Sequence, residues 1–531
     1  MDTHTKAHKV LKDVFGYDEF KPFQYQIIES IISQKDVLGI MPTGYGKSLC
    51  FQIIPLLTDE VAIVISPLIA LMADQKLILD KLNISSCCYN SSLTKKEKVD
   101  LEKDVVAGKY KIMYITPESL VNSYDLINEI YCKIGICMLA IDEAHCLSSY
   151  GFDFRPKYRE IKDIRKLLTN VPVLCVTATA TDNVIKDIKE LMNMKKCVFV
   201  QTSYDRPNIM IHIEMYTSNT LMDIVKIIKK NNSSVSGSTI IYCVTKKDTE
   251  LVANELTKLG IVSKAFHAGL EKDERTTIQE NYMNDKYKCI VATIAFGMGI
   301  NKSDVRTVIH YGCPQNIESY YQEIGRAGRD GKESNCYLFY KTKDFIIQKK
   351  FIDDIQDVQY KKVRADMLNK MSKYIDTKEC RRKYILQYFS EETNYKNCKK
   401  CDNCLKKKET ISKKDEYNLW LILNVIMTIQ IEKNYTFGQS TIALILKGSE
   451  SSKIKPWMKK LEQYGSMKKL GIKDISSFIY KIIDLGYVEN YDIGNCCHVL
   501  RCTEEGLTFN DGYELLDIEE DLLKNNLLFD I

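Results

Sequence analysis

Met41-Pro42-Thr43-Gly44-Tyr45-Gly46-Lys47-Ser48 is the stretch on which the reading of this chain turns. Gly44 and Gly46 let a backbone wrap a phosphate with no side chain in the way, and the loop hands its N–H groups to the ligand at the start of a helix. In such a loop Lys47 holds the β- and γ-phosphates and Ser48 ligates magnesium, with Thr43 among the nucleotide-binding positions. Alone, the motif has a real false-positive risk. Here Ser66-Pro67-Leu68, Asp142-Glu143-Ala144-His145, Thr177-Ala178-Thr179 and Gly325-Arg326-Ala327-Gly328-Arg329 follow it in that order. The order carries the argument: the loop's partners stand downstream of it in one chain.

Each box has an expected task. Asp142 follows an apolar strand and is placed to hold the shell of a magnesium ion, and Glu143 is the natural base for the attacking water. Arg326 and Arg329, a helical turn apart, can reach the γ-phosphate from a second lobe, so that hydrolysis requires lobe closure. His145 and Gln322 complete the expected catalytic set.

Outward from the boxes, short apolar runs alternate with helical patterns. Val61 to Ile65, Lys111 to Ile115, Met138 to Ile141 and Val173 to Val176 each end at a polar motif, as buried strands of a parallel α/β sheet do. Thr239 to Tyr242, Ser263 to Phe266, Cys289 to Ala292 and Thr307 to His310 repeat the arrangement. Two tandem α/β lobes are expected, joined near Arg206-Pro207-Asn208. Ser66 to Gln75, Thr116-Pro117-Glu118 and Thr177-Ala178-Thr179 in the first lobe, with His267 to Leu270 and Ala292 to Lys302 in the second, sit at strand ends where amides and hydroxyls can grip phosphates.

The 531 residues exceed what one core can organise, since single cores stop growing at roughly 250 to 300 residues. With 45% hydrophobic and 27% charged residues the composition is that of an ordinary globular protein, and no apolar run approaches the ~20 residues of a membrane span. The first residues lack the apolar stretch of a secretory signal, so an intracellular, reducing location is expected, nuclear in a eukaryotic host and cytoplasmic otherwise. Most of the 19 cysteines should then be thiols, Cys87-Cys88 and Cys496-Cys497 among them as ordinary buried ones. The net charge of +5 conceals an acidic end: residues from Glu514 onward carry −5, which leaves +10 for Met1 to Tyr513. A basic body suits a nucleic-acid partner.

Past Tyr340 the pattern becomes helical and basic and reaches Cys398-Lys399-Lys400-Cys401-Asp402-Asn403-Cys404. With Cys380 upstream these cysteines offer four thiolates, a closed tetrahedral set for structural zinc. Tyr417 to Ile429, Thr441 to Leu446 and Asp474 to Leu485 read as helices, and Tyr487 to Arg501 as a hairpin around Gly494-Asn495. Three helices and a hairpin make a winged helix.

Together these motifs resemble the RecQ family of DNA helicases in superfamily 2, over Phe15 to at least Tyr487. Phe15 to Gln24 is similar to the family's motif 0, which implies that Tyr17 stacks on adenine and Gln24 reads its edge; Lys21 stands where the family usually has arginine. Cys146 to Pro156 resembles the aromatic-rich loop that couples DNA binding to ATP hydrolysis. There Tyr150 replaces the usual tryptophan and Phe152 a common histidine, while Phe154 and Arg155 complete the implied DNA contacts. The implied architecture is two RecA-like lobes (1–208 and 209–345), a zinc-binding module (346–410), a winged helix (411–512) and an acidic tail (513–531). The hairpin tip Ile493-Gly494-Asn495 has no aromatic to act as a separating pin. The resemblance further implies ATP, Mg2+ and Zn2+, single-stranded and forked DNA as partners, 3′ to 5′ movement, roles in recombination, repair or replication, and a single-strand-binding protein or topoisomerase as companions. An RNA helicase shares the DEAH box, and a scaffold that has lost catalysis is opposed by the intact Lys47, Asp142, Glu143, Arg326 and Arg329.

Overall fold

Strands four to seven residues long, most of them apolar and buried on both faces, build the framework. In a computed structural model that describes residues 2–234, 237–297, 302–406, 411–433, 435–492 and 498–511, the chain divides into two compact units, 1–405 and 406–531. Seven strands of the first unit, β1 Val37–Ile40, β2 Val61–Ile65, β3 Ser86–Tyr89, β4 Ile112–Ile115, β5 Ile136–Ile141, β6 Val173–Thr177 and β7 Val198–Gln201, form one sheet in the order β3-β4-β2-β5-β6-β1-β7. Every pairing is parallel. Side chains alternate between two apolar layers: Leu38, Ile40, Ile63 and Ile65 enter one, Val37, Ala62 and Val64 the other. Helices cover both faces, as an all-parallel sheet requires. Local chemistry starts them; at Lys95–Val106, for example, Thr94 and Glu97 form a reciprocal capping box.

The second sheet contains β8 Ile209–Met215, β9 Ser238–Cys243, β10 Ser263–Phe266, β11 Cys289–Ala292, β12 Val305–Tyr311 and β13 Ser334–Tyr340, all parallel, in the order β10-β11-β9-β12-β13-β8. Eight of these thirteen strands stand where alternation of apolar runs places them. β1, β3, β7, β8 and β13 are not marked by such runs, because their sequences are short or interrupted by glycine, cysteine or polar residues. Each lobe keeps an apolar layer of its own, and a further core is shared between them. Tyr204 of the connecting segment, Tyr320, Tyr321 and Ile324 of the second lobe, and Met371 and Tyr374 of the helix Val358–Asp376 join the first lobe in one buried cluster.

Helices Thr342–Asp353, Val358–Asp376, Arg381–Tyr388 and Asp402–Leu405 complete this unit. Two adjacent buried arginines fasten them. Arg381 bonds the Asp402 carboxylate and the carbonyls of Tyr374 and Ile375, and Arg382 bonds Asp205 at 2.7 Å and the Ile209 carbonyl at 2.6 Å. Buried guanidinium groups persist only when so fully partnered. The exposed edge of the second sheet is met too: Ile211 of β8 forms a parallel bridge with Cys401, and its N–H donates to the Lys400 carbonyl at 3.2 Å.

In the unit 406–531, helices Lys413–Lys433, Gln439–Lys447 and Ile472–Asp484 precede an antiparallel hairpin, β14 Val488–Asp492 and β15 His498–Cys502, and a closing helix Glu504–Asp511. Ile422, Ile426 and Ile429, then Ile475, Ile479 and Ile482, recur at helical spacing and share one core with Leu446 and Leu500. Gly448 takes φ +71° to end the second helix. The expected hairpin tip Ile493-Gly494-Asn495, the Cys496-Cys497 pair, Met298 to Asn301, and the acidic residues from Glu514 lie outside the described residues. No helix among the described residues is long and apolar enough to cross a membrane.

Candidate functional site

Strand β1 runs between β6 and β7 and delivers the phosphate loop at its carboxyl end, where doubly wound sheets bind ligands. Gly44 and Gly46 adopt φ +83° and +95°, conformations that other residues resist, before the helix Lys47–Gln52 begins. Lys47 Nζ donates to the Met41 carbonyl at 3.1 Å, and burial lowers its pKa. The end of β5 supplies Asp142, whose carboxylate accepts the Glu143 N–H at 2.9 Å. Burial, and then the neighbouring Glu143 charge, push Asp142 up to about 7. Glu143 itself sits at φ +48°, a left-handed conformation costly for a glutamate, and its Oε2 is buried with no hydrogen-bond partner among the described residues. Two crowded carboxylates facing one lysine form a donor set suited to a divalent cation.

His145 is buried in the same corner. Its Nδ1 lies 2.8 Å from Thr177 Oγ1 and 3.3 Å from Glu143 Oε2, and burial lowers its pKa, favouring the neutral ring. The first of these contacts has hydrogen-bond geometry; the second is proximity alone. Thr177 Oγ1 in turn donates to the Thr179 carbonyl, and Gln322 Nε2 of the second lobe donates to Thr179 Oγ1 at 3.1 Å. A chain of contacts therefore runs from the DEAH box through Thr177 and Thr179 to the other lobe.

Arg329 arrives at this seam, with Arg326 behind it beside Gly297 of the second lobe. A Cβ added at Gly44 would meet Arg329 Cγ at 3.1 Å, and one added at Gly325 would meet Thr43 Cβ at 3.8 Å, so the second lobe abuts the phosphate loop. Burial, and then the Arg326 charge beside it, push Arg329 down to about 9, still a cation at neutral pH. Lys47 senses the Arg329 charge as well. Cations gathered in a buried seam are matched to a polyanion bridging the lobes. Arg206, which sequence reasoning placed only at the join, holds the box from below by donating to the carbonyls of Gly325, Ala327 and Gly328.

Motif 0 lies against the same loop. Tyr17 is 58% exposed, with a face available for stacking. Gln24 is buried; its Nε2 donates to the carbonyls of Tyr45 and Gly46 at 3.3 and 3.1 Å, and its Oε1 accepts the Lys21 N–H. Lys21 Nζ donates to the Gly44 carbonyl at 3.3 Å. Both side chains here hold the phosphate loop, a task the sequence did not reveal.

In the aromatic loop the four expected residues separate. Tyr150 is 40% exposed. Phe152 turns inward and stacks on His145, ring centroids 4.5 Å apart, and Phe154 tilts against Tyr360 at 5.4 Å. Arg155 donates to the Pro67 carbonyl at 2.7 Å and pairs with Asp153, so it links two boxes of the first lobe instead of standing open for a DNA phosphate. Tyr150 and Phe154, with Ser149, Arg159, Lys186 and Tyr360, line a cavity of about 590 Å3.

Cys380, Cys398, Cys401 and Cys404 converge, their sulfur atoms all within 4.8 Å of one another, and the Sγ atoms of Cys398 and Cys404 are 3.9 Å apart. Tetrahedral bonds of about 2.3 Å to a central zinc place sulfur atoms about 3.8 Å apart, so the cluster fits the ion. Every described cysteine is free of disulfides. Cys87 is buried as expected; Cys88 is only half-buried and lies 3.5 Å from the Met72 carbonyl.

A phosphate loop, a DEAH box and two arginines meeting between paired parallel sheets define a superfamily 2 helicase. Sequence comparison agrees: residues 21–188 match the DEAD/DEAH box helicase family, 219–331 the helicase conserved C-terminal domain, 342–405 the RecQ zinc-binding family and 421–526 the RQC domain. The chain belongs to the RecQ family of helicases. It is 45% identical over 520 residues to a protein of Acanthamoeba polyphaga mimivirus with the provisional name ATP-dependent RNA helicase R290, covering 95% of this chain and 92% of that one. It is 34% identical over 516 residues to the ATP-dependent DNA helicase RecQ of Haemophilus influenzae, covering 96% and 81%. Among solved structures, Mss116p bound to ssRNA and AMP-PNP superposes with a TM-score of 0.54 at 19% identity, covering 83% of this chain and 87% of that chain, a likeness of fold alone.

Proposed function

We propose that this chain is an ATP-dependent DNA helicase that moves 3′ to 5′ along single-stranded DNA and unwinds duplex or forked DNA in recombination, repair or replication. The observation that carries the reading is the approach of Arg329 to Gly44 across the seam, beside Lys47 and the Asp142-Glu143 pair. ATP held there is gripped from both lobes. Lys47 holds the β- and γ-phosphates, Tyr17 covers the adenine, and Gln24 exchanges its loop carbonyls for the base edge. Ser48 and Asp142 would hold magnesium, which neutralises charge on the phosphates. Glu143 takes the proton of the attacking water as the bond from the γ-phosphorus to its bridging oxygen breaks. Arg326 and Arg329 stabilise the charge that develops, and their release from the products lets the lobes part. Alternate gripping by two lobes is a stepping cycle, and unstacking a base-pair step costs about 1.4 kcal/mol, so separation must be driven.

Cys380, Cys398, Cys401 and Cys404 would hold a structural zinc; with four thiolates no coordination position stays open for chemistry. The winged helix adds a duplex-binding surface. A single-strand-binding protein or a topoisomerase belongs to this reading as a companion, and the nucleus as the location in a eukaryotic host.

A second reading, an RNA helicase, is favoured by the name of the mimiviral relative. Strand displacement distinguishes them: DNA and RNA duplexes with 3′ or 5′ tails are incubated with ATP or a nonhydrolysable analogue. Displacement of 3′-tailed DNA with ATP alone is expected. Activity on RNA duplexes only would reverse the choice, and no turnover with any nucleic acid would leave a binding scaffold.

A further inference from the structure

The first turn of the helix Val358–Asp376 touches the aromatic loop and the second lobe at once. Tyr360 donates its hydroxyl to the Phe152 carbonyl at 3.2 Å, and Arg364, one turn later, donates Nη1 to the same oxygen at 3.0 Å. The other terminal nitrogen of Arg364, Nη2, reaches Gln315 Oε1 at 2.5 Å, in the segment following β12. The ring on the pinned Phe152 backbone is the one stacked on His145. Tyr360 also lines the cavity beside Tyr150 and Phe154. One guanidinium thus joins three parts: the loop expected to meet an unpaired strand, the lobe that carries the arginines, and the helix that packs against both.

We infer that Arg364 is a positioning residue that couples strand binding at the aromatic loop to the DEAH box. The inference rests on the reading that single-stranded DNA enters by that loop. A base stacking on Tyr150 or Phe154 pushes on a segment whose next carbonyl is fixed by two donors. With Phe152 tied through Arg364 to the second lobe, the push reaches the His145 ring and the seam together. Without the tie the loop yields alone, and the strand is bound without consequence for the nucleotide. Planar Arg364 serves two acceptors at fixed angles, which the single ammonium of lysine cannot do.

The test titrates an oligothymidylate strand into the full-length protein and measures ATP turnover, strand affinity by fluorescence anisotropy, and melting temperature. Arg364→Ala is expected to bind the strand within about twofold of wild type while its maximal stimulation falls about fivefold or more, a coupling of ordinary size. Gln315→Ala, which removes only the acceptor on the second lobe, should lose stimulation in the same direction. Arg364→Lys should remain low. Wild-type stimulation in Arg364→Ala, full rescue by lysine, or a loss of stimulation that merely tracks lost affinity and a lower melting temperature would each overturn the inference. A wild-type protein that no strand stimulates removes the aromatic-loop reading itself, and the two failures are distinguishable by that control.

Discussion

Glu143 combines three unusual properties in one residue: a left-handed backbone, a buried carboxylate oxygen without a hydrogen-bond partner among the described residues, and a carboxylate neighbour at Asp142. Each costs stability, and together they mark a group kept for chemistry. In the proposed reaction Glu143 is the base; Glu143→Gln keeps its shape without that basicity, so ATP turnover should fall by about a hundredfold or more while nucleotide is still bound; phosphate release and equilibrium binding check this. Tyr150→Ala should leave basal hydrolysis near wild type and weaken its stimulation by single-stranded DNA, measured as turnover against strand concentration; equal stimulation would count against a stacking role. Phosphate chemistry dictates residue types at fixed spacings, which is why Lys47, Ser48 and Asp142 are legible in the sequence. The partner of Phe152 is not legible. Its stacking on His145 depends on the loop folding back, and the donors to its carbonyl stand 208 and 212 positions later in the chain.

At the level of elements, continuous apolar runs announced the strands that end at motifs, because burial on both faces leaves no alternation to misread. β8 and β13 escaped notice for the opposite reason: His212 and Glu214 in one, Asn335 and Tyr337 in the other, break the runs where those strands are only partly covered. The cysteine cluster was legible from spacing alone, whereas its attachment was not. Arg382 with Asp205 and Arg381 with Asp402 bind the cluster's helices across long sequence separations, and adjacent arginines read as surface charge until their burial is known. If the cluster holds zinc, chelation should lower the first thermal transition of the protein, and restoring zinc should reverse the shift; calorimetry with metal analysis tests it, and an unchanged transition in metal-free protein would contradict a folding role.

Across the whole first unit, the lobes are joined by more than a hinge. Gln322 with Thr179, Arg206 with the carbonyls beside Arg326, and Tyr321 Oη with the Tyr204 carbonyl at 2.7 Å set how the second sheet approaches the nucleotide. Arg329 crosses that seam, and in the proposed reaction its loss separates binding from turnover. Arg329→Ala should retain ATP but hydrolyse it about a thousandfold more slowly, as for other arginines supplied across an interface; single-turnover kinetics beside nucleotide affinity give the answer, and unchanged turnover would place the catalytic cation elsewhere.

The bridge from Cys401 to Ile211 has a consequence for how this protein would fail. Strand β8 ends its sheet, and a bare sheet edge offers a ladder of unused amide and carbonyl groups to any neighbouring chain. A cysteine loop held in place shields part of that margin. Once the loop comes loose, damaged copies can stack edge to edge, so if the cluster holds zinc, its removal would appear in storage or stress as turbidity before it appeared as idle enzyme.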